Sequence, residues 1–176
     1  SSTSRGLGDV YKRQVHTPVA EINGLSDVHY YTNQSIFDLE QKPEHLLILG
    51  GGPVGVELAQ AFTRLGIKVT VFEKQKILSN FNREHVELLR SNLENDGVNL
   101  KEEASIKDIS QVGNKLTIQL ENSDKITGSH LLVATGKKPN LQNLNLQAAG
   151  INFSDIGIET DQYLRTNNKK IYAIGD

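Results

Sequence analysis

The sequence contains no cysteine, no methionine and no tryptophan. Without cysteine this chain can hold no disulfide, no thiolate metal site and no dithiol redox centre. That absence says little about compartment, because cysteine-free domains occur in reducing and oxidising surroundings alike. Without methionine there is no initiating residue, so a fragment, a processed chain or an engineered product is expected. No apolar run approaches the ~20 residues that cross a bilayer. Nothing reads as a signal peptide, and the cytoplasm is the expected compartment. An excess of one charge is also lacking. The 19 Lys and Arg against 21 Asp and Glu leave a net charge of −2, which gives no electrostatic footprint for nucleic acid or an anionic membrane. The five histidines, His16, His29, His45, His85 and His130, show no ligand or triad spacing. They are expected on the surface or at sheet edges, with no metal bound.

What is present is an ordinary soluble composition over 176 residues, enough for one globular domain with a sizeable core. Residues 15–42 carry turn signals at Thr17-Pro18, Asn23-Gly24 and Ser26-Asp27. They read as an irregular linker with one short strand near His29 to Tyr31. Leu46-Leu47-Ile48-Leu49 is a continuous apolar run ended by glycines, which fits a strand covered on both faces. A helix is expected from about Pro53 to Leu65, with Val54, Leu58, Ala61, Phe62 and Leu65 as its inner face. Pro53 suits a first helical position and Gly66 a stop. Lys68 to Glu73 is β-branched and aromatic, hence a second strand. A second helix follows from Arg83 to Asp96, capped by Asn82, packed through Val86, Leu89 and Leu93, and ended by Gly97. Val98 to Leu100 completes a strand–helix–strand–helix–strand series, the pattern of a right-handed doubly wound parallel sheet. The period then changes from 3.6 to 2. Ile106 to Val112, Lys115 to Leu120 and Asp124 to Thr127 form a three-stranded antiparallel meander, and His130 to Ala134 returns to the parallel sheet.

Gly50-Gly51-Gly52-Pro53-Val54-Gly55 fits G-x-G-x-x-G between a strand and a helix, the context in which that pattern has a mechanism. Gly50 permits the tight turn, Gly52 admits a pyrophosphate to the backbone, and Gly55 lets the helix pack closely. The helix start then offers N–H groups and partial positive charge to phosphates. Glu73 ends the second strand about twenty residues on, where a carboxylate can accept from both adenosine ribose hydroxyls. Hydrogen bonds to a charged acceptor contribute about 1.5–3 kcal/mol each, and a 2′-phosphate would replace one of them with like-charge repulsion. NADH is therefore expected over NADPH by about tenfold or more. Lys74 and Lys76 pull the other way, since they could pair with a 2′-phosphate.

Three segments together carry a family resemblance: LLILGGGPVGVELAQAFTRLGIKVTVFEK from Leu46, LLVATGKKPN at Leu131 to Asn140, and KIYAIGD at Lys170 to Asp176. In order and spacing they resemble the second nucleotide-binding domain of the pyridine nucleotide–disulfide oxidoreductases, in particular the dihydrolipoamide dehydrogenase and mercuric reductase group. The resemblance implies an α/β fold: a Rossmann-like parallel sheet with the meander, inserted between two pieces of an FAD-binding domain. It assigns residues 15–42 to the end of the first FAD-domain segment, 43–160 to the NAD(H)-binding domain and 161–176 to the second FAD-domain segment. Ser4 to Gln14, SRGLGDVYKRQ, resembles a translated sequencing adapter, so residues 1–14 are expected to be a non-native leader.

The resemblance also implies roles. Gly50, Gly51, Gly52, Pro53, Val54 and Gly55 would hold the NAD pyrophosphate. Glu57 would face the nicotinamide carboxamide, though it also reads as a first-turn acid favoured by the helix dipole. Gly136 would lie beside the nicotinamide, Asp176 would accept from the flavin ribityl chain, and Ile106 would lie near the adenine or in the sheet core. Pro53 departs from members with a bulky or gating residue there, which argues against the glutathione reductase-like subgroup. No catalytic residue is expected within this chain. The parent enzyme would pass hydride from NAD(P)H to FAD and on to a disulfide or other acceptor, as a homodimer. This chain alone would bind NAD(H) weakly and not turn over. Two alternatives stay open: an NADH oxidase or ferredoxin reductase-like flavoenzyme without a redox disulfide, and a non-catalytic NAD-binding module.

Overall fold

The computed structural model describes residues 22–136, 138–141 and 144–174. The leader reading of 1–14 and the placement of Asp176 lie outside the described residues. The described chain falls into two compact units that divide after Gly136.

The first unit is built on a parallel sheet of β1 (His45–Leu49), β2 (Lys68–Phe72), β3 (Asn99–Lys101) and β7 (His130–Val133), in the order β3-β2-β1-β7. Helices α1 (Pro53–Arg64) and α2 (Arg83–Asp96) connect β1 to β2 and β2 to β3. The antiparallel sheet β4 (Ile106–Val112), β5 (Lys115–Leu120) and β6 (Lys125–Gly128) precedes β7. The fold is thus the expected parallel sheet with its three-stranded meander.

Period-2 alternation explains the unbroken apolar runs. Leu46 and Ile48 of β1, Val69 and Val71 of β2, and Leu132 and Ala134 at β7 share one core with Val56 and Ala59 of α1 and Val86 and Leu93 of α2. Leu47 and Leu49, Phe72, and Leu131 and Val133 enter a second core with Ile109, Leu116, Ile118 and Leu120 of the meander. Each such side chain contributes about 1.5–3 kcal/mol on burial. Both helices lie on one face, because two successive right-handed crossovers in the same direction place them there. The meander, rather than further helices, covers the other face. Gly128 allows its close approach, since a Cβ there would meet Leu47 Cγ at 2.5 Å.

The α1 face differs from the expected stripe. Val56 and Ala59 are fully buried, with Val54, Leu58 and Phe62 beside them. Ala61 and Leu65 are exposed. The buried line runs through Gly55, Val56 and Ala59, turned by about one residue from the expected stripe, so Val54, Leu58 and Phe62 pack at its edge. α2 matches its expected bounds: Asn82 Oδ1 accepts from the amides of Glu84 and His85 at 3.0 and 3.4 Å, and Gly97 stops the helix at φ 101°.

Residues 22–39 are less of a linker than expected. Tyr31 bridges to Leu132 in parallel, and Leu25, Val28 and Ile36 are buried. Gly24 sits where a Cβ would strike the Ile109 carbonyl. The second unit, described from residue 138, holds a hairpin of β8 (Phe153–Ser154) and β9 (Gly157–Ile158), with Leu146 and Ile151 buried. Side-chain bonds replace extended secondary structure there. Asn167 donates to Gly150 O at 2.6 Å and accepts from Asn152 N at 2.9 Å. No helix among the described residues is long and apolar enough to cross a membrane.

Candidate functional site

The site lies at the carboxyl end of the parallel sheet. Leu49 pairs with Phe72, and the Gly50 amide extends that ladder by donating to Phe72 O at 2.9 Å. The chain then turns out of the sheet at Gly50, with φ 104°, a conformation that glycine adopts without steric cost. A Cβ at Gly50 would also strike the Ala134 carbonyl, and one at Gly55 the Gly50 carbonyl. Gly50 and Gly55 therefore set the spacing of strand, turn and helix.

Gly52 differs from both. Its backbone is extended (φ −74°, ψ −177°), open to any residue, and a Cβ there would meet nothing within 4 Å. The fold places no demand for glycine at that position. The space in front of it is open.

The amides divide into two groups. Those of Gly50 and Gly51 are occupied, the first by Phe72 O and the second by Glu73 Oε2 at 2.7 Å. The first bond internal to α1 runs from Val56 N–H to Gly52 O at 3.0 Å. The amides of Val54 and Gly55 lie ahead of it, Pro53 has none to offer, and no side chain caps the helix. The first turn of α1 itself carries no acidic residue, and the carboxylate beside its positive end is that of Glu73, on Gly51. Glu57 is the fifth helical residue and is exposed, which places it beyond the first turn and removes the dipole reading.

Glu73 stands at the tip of β2. Its amide donates to Lys101 O, and its carbonyl accepts from the Ala104 amide, both at 2.9 Å. Its carboxylate accepts from Gly51 N at 2.7 Å and from Gln75 N at 3.0 Å. The acid is therefore drawn back onto the glycine turn. Ile106 begins β4 two residues after Ala104, half-buried against the meander-side core. On the other side of β1, Ala134 N donates to Leu49 O at 2.7 Å, and Gly136 follows at φ 139°, with open space where a Cβ would stand. The connection leaving β1 runs towards β2, while β7 lies on the opposite flank. This is the topological switch point where open α/β sheets bind ligands.

One part of this site left no sequence signal. The loop after Glu73 returns to the glycine turn: Leu78 N donates to Gly51 O at 3.0 Å, and a Cβ on Gly51 would meet Ile77 Cγ2 at 2.7 Å. Leu78 is held at φ 50°, a conformation costing about 1–2 kcal/mol for a residue with a Cβ. No propensity marks such a leucine.

Comparison with known proteins places this geometry. The family model described as pyridine nucleotide-disulphide oxidoreductase matches residues 12–176. A mercuric reductase of Staphylococcus aureus is 34% identical over 163 residues, covering 90% of this chain and 30% of its own length. A dihydrolipoyl dehydrogenase of Staphylococcus aureus is 35% identical over 144 residues, covering 79% and 31%. Among solved structures, the HOCl-induced flavoprotein disulfide reductase of Escherichia coli superposes with a TM-score of 0.83 at 30% identity, over 93% of this chain and 38% of that one. The chain thus spans about a third of the length of the relatives it matches.

Proposed function

This chain belongs to the pyridine nucleotide-disulphide oxidoreductase family, and from that premise we propose that its residues 43–160 bind NAD(H) for an FAD-dependent enzyme. The observation that carries the proposal is the bond from the Gly51 amide to the Glu73 carboxylate, which joins an open glycine cradle to an acid at the neighbouring strand tip. The amides of Gly52, Val54 and Gly55 receive the pyrophosphate, and Glu73 accepts from the adenosine ribose. Glu57 and Gly136 flank the nicotinamide end, and Ile106 supports the adenine side from the core. FAD, when bound in the whole protein, supplies the electron relay from NADH to the acceptor. Residues 15–42 and 161–176, with Asp176, belong to the FAD-binding domain, and the whole protein works as a homodimer.

Titration of the chain with NADH, followed by nicotinamide fluorescence, tests this reading. Saturable binding that Gly52→Ala weakens by about tenfold or more without lowering the unfolding midpoint is the expected result. Equal binding by wild type and Gly52→Ala would remove the cradle from the site. The isolated chain with added FAD is expected to show no NADH-dependent dye reduction.

A further inference from the structure

The return of the loop after Glu73 depends on residues outside the proposed site. Glu102, just beyond β3, has a side chain only 11% exposed. Its Oε1 accepts from the Ile77 amide at 2.8 Å, and its Oε2 pairs with the Arg90 guanidinium of α2. Arg83, one helical turn before Glu87, donates to the Ile77 carbonyl at 3.1 Å. Both polar groups of the Ile77 backbone are therefore held by side chains. The next amide, Leu78 N–H, reaches Gly51 O, and Gly51 N–H reaches Glu73. The contacts form one continuous path from Arg90 through Glu102, Ile77, Leu78 and Gly51 to the Glu73 carboxylate.

We propose that Glu102 is a positioning residue that, clamped by Arg90, holds the loop after β2 on Gly51 and so fixes where Glu73 presents its carboxylate. The loop needs such a clamp. Lys74, Gln75 and Lys76 are exposed, and Leu78 is held in a left-handed conformation that a free loop would relax. A half-buried carboxylate that accepts a backbone N–H and is itself neutralised by arginine makes a stronger, more directional anchor than a neutral side chain. Its consequence at the site, which rests on the NAD(H) reading above, is on discrimination. If Glu73 reads the ribose 2′-hydroxyl, loosening its support weakens NADH binding and leaves NADPH binding nearly unchanged.

Amide hydrogen exchange in the ligand-free chain tests the clamp without any nucleotide. Glu102→Ala is expected to raise exchange at Ile77, Leu78 and Gly51 by about tenfold, with β1 and β7 unaffected. Glu102→Gln, which keeps an acceptor for Ile77, is expected to restore most of the protection there. Unchanged exchange at Gly51 in Glu102→Ala would overturn the inference. Should that variant fail to fold, Arg90→Gln probes the same path from its far end and is expected to loosen the same three amides. NADH and NADPH titrations then read the consequence: the affinity ratio falls several-fold in Glu102→Ala and recovers in Glu102→Gln. An unchanged ratio in a chain that binds NADH also overturns the inference. A wild-type chain that binds neither nucleotide would sink the NAD(H) reading alone, with the exchange result still deciding whether Glu102 holds Gly51.

Discussion

The two ends of the parallel sheet are finished in opposite ways. At the amino end, polar side chains close the strands. Ser129 Oγ accepts from the amides of Glu44 and His45 and donates to His45 O. His45 Nε2 lies 2.9 Å from Thr70 Oγ1, which also accepts from Asn99 Nδ2 at 3.4 Å, so one hydroxyl ties β1, β2 and β3 together. His130 lies against Ser129 Oγ and stacks on Tyr31. At the carboxyl end β1 runs into the glycine turn and β2 into Glu73, and the amides of Val54 and Gly55 at the start of α1 have no partner within the helix. The same strands thus end once in a sealed polar network and once in a surface that a ligand can complete. Substitution should therefore cost stability at the first end and affinity at the second, except where a glycine of the second sets the packing.

Breaking that contrast most strongly should be Gly55→Ala, whose methyl would overlap the Gly50 carbonyl. A loss of about 3 kcal/mol or more is expected in urea unfolding, because backbone on both sides must move. Gly52→Ala, three residues earlier, should change stability by less than about 0.5 kcal/mol. Its NADH affinity should fall at least tenfold, since a methyl replaces the approach of the phosphates. Glu73→Gln keeps an acceptor for Gly51 but removes the charge. The ratio of NADH to NADPH affinity in parallel titrations should fall by about tenfold. Thr70→Val, at the sealed end, should cost about 1–2 kcal/mol by leaving His45 and Asn99 without their shared partner. NADH affinity should be unmoved.

The smallest effect is a pH dependence at the sealed end. Burial, with the Lys68 charge beside it, holds the His45 pKa below its ordinary value of 6.5, against a hydrogen bond to the Thr127 backbone that raises it. Burial, with His29 nearby, lowers that of His130. The unfolded chain then takes up protons more readily than the folded one. The stability from neutral histidines is complete above about pH 6.5 and declines as the pH falls below it. Urea midpoints should drop between pH 7.5 and 5.5, and by less in a His45→Asn, His130→Asn double variant. An identical drop in that variant would assign the effect to other groups.

Legibility followed the range of the forces involved. Helix α2 could be read to the residue because Asn82, Val86, Leu93 and Gly97 act within a few turns of one another. The meander was legible because Gly113-Asn114 and Asn122-Ser123 interrupt a clear alternation. Glycine turn and acid were each visible by spacing. Their direct bond was not, since it joins side chain to backbone across two strands. The α1 face was off by about one residue, with Val56 and Ala59 inside and Ala61 and Leu65 outside, because the rotation of a helix about its axis is set by its contact with the sheet. Residues 22–39 looked like linker because their partners, β4 and β7, lie about a hundred residues on.

Local chemistry alone determined the elements and their order: continuous apolar runs made strands that need cover on both sides, and glycine, proline and asparagine set where helices start and stop. Tertiary structure decided which face each layer occupied, which amides remained open, and that a half-buried glutamate beyond β3 accepts from the Ile77 amide of the loop after Glu73. Those outcomes depend on contacts between residues far apart in the chain, whose energies exist only once the sheet has assembled.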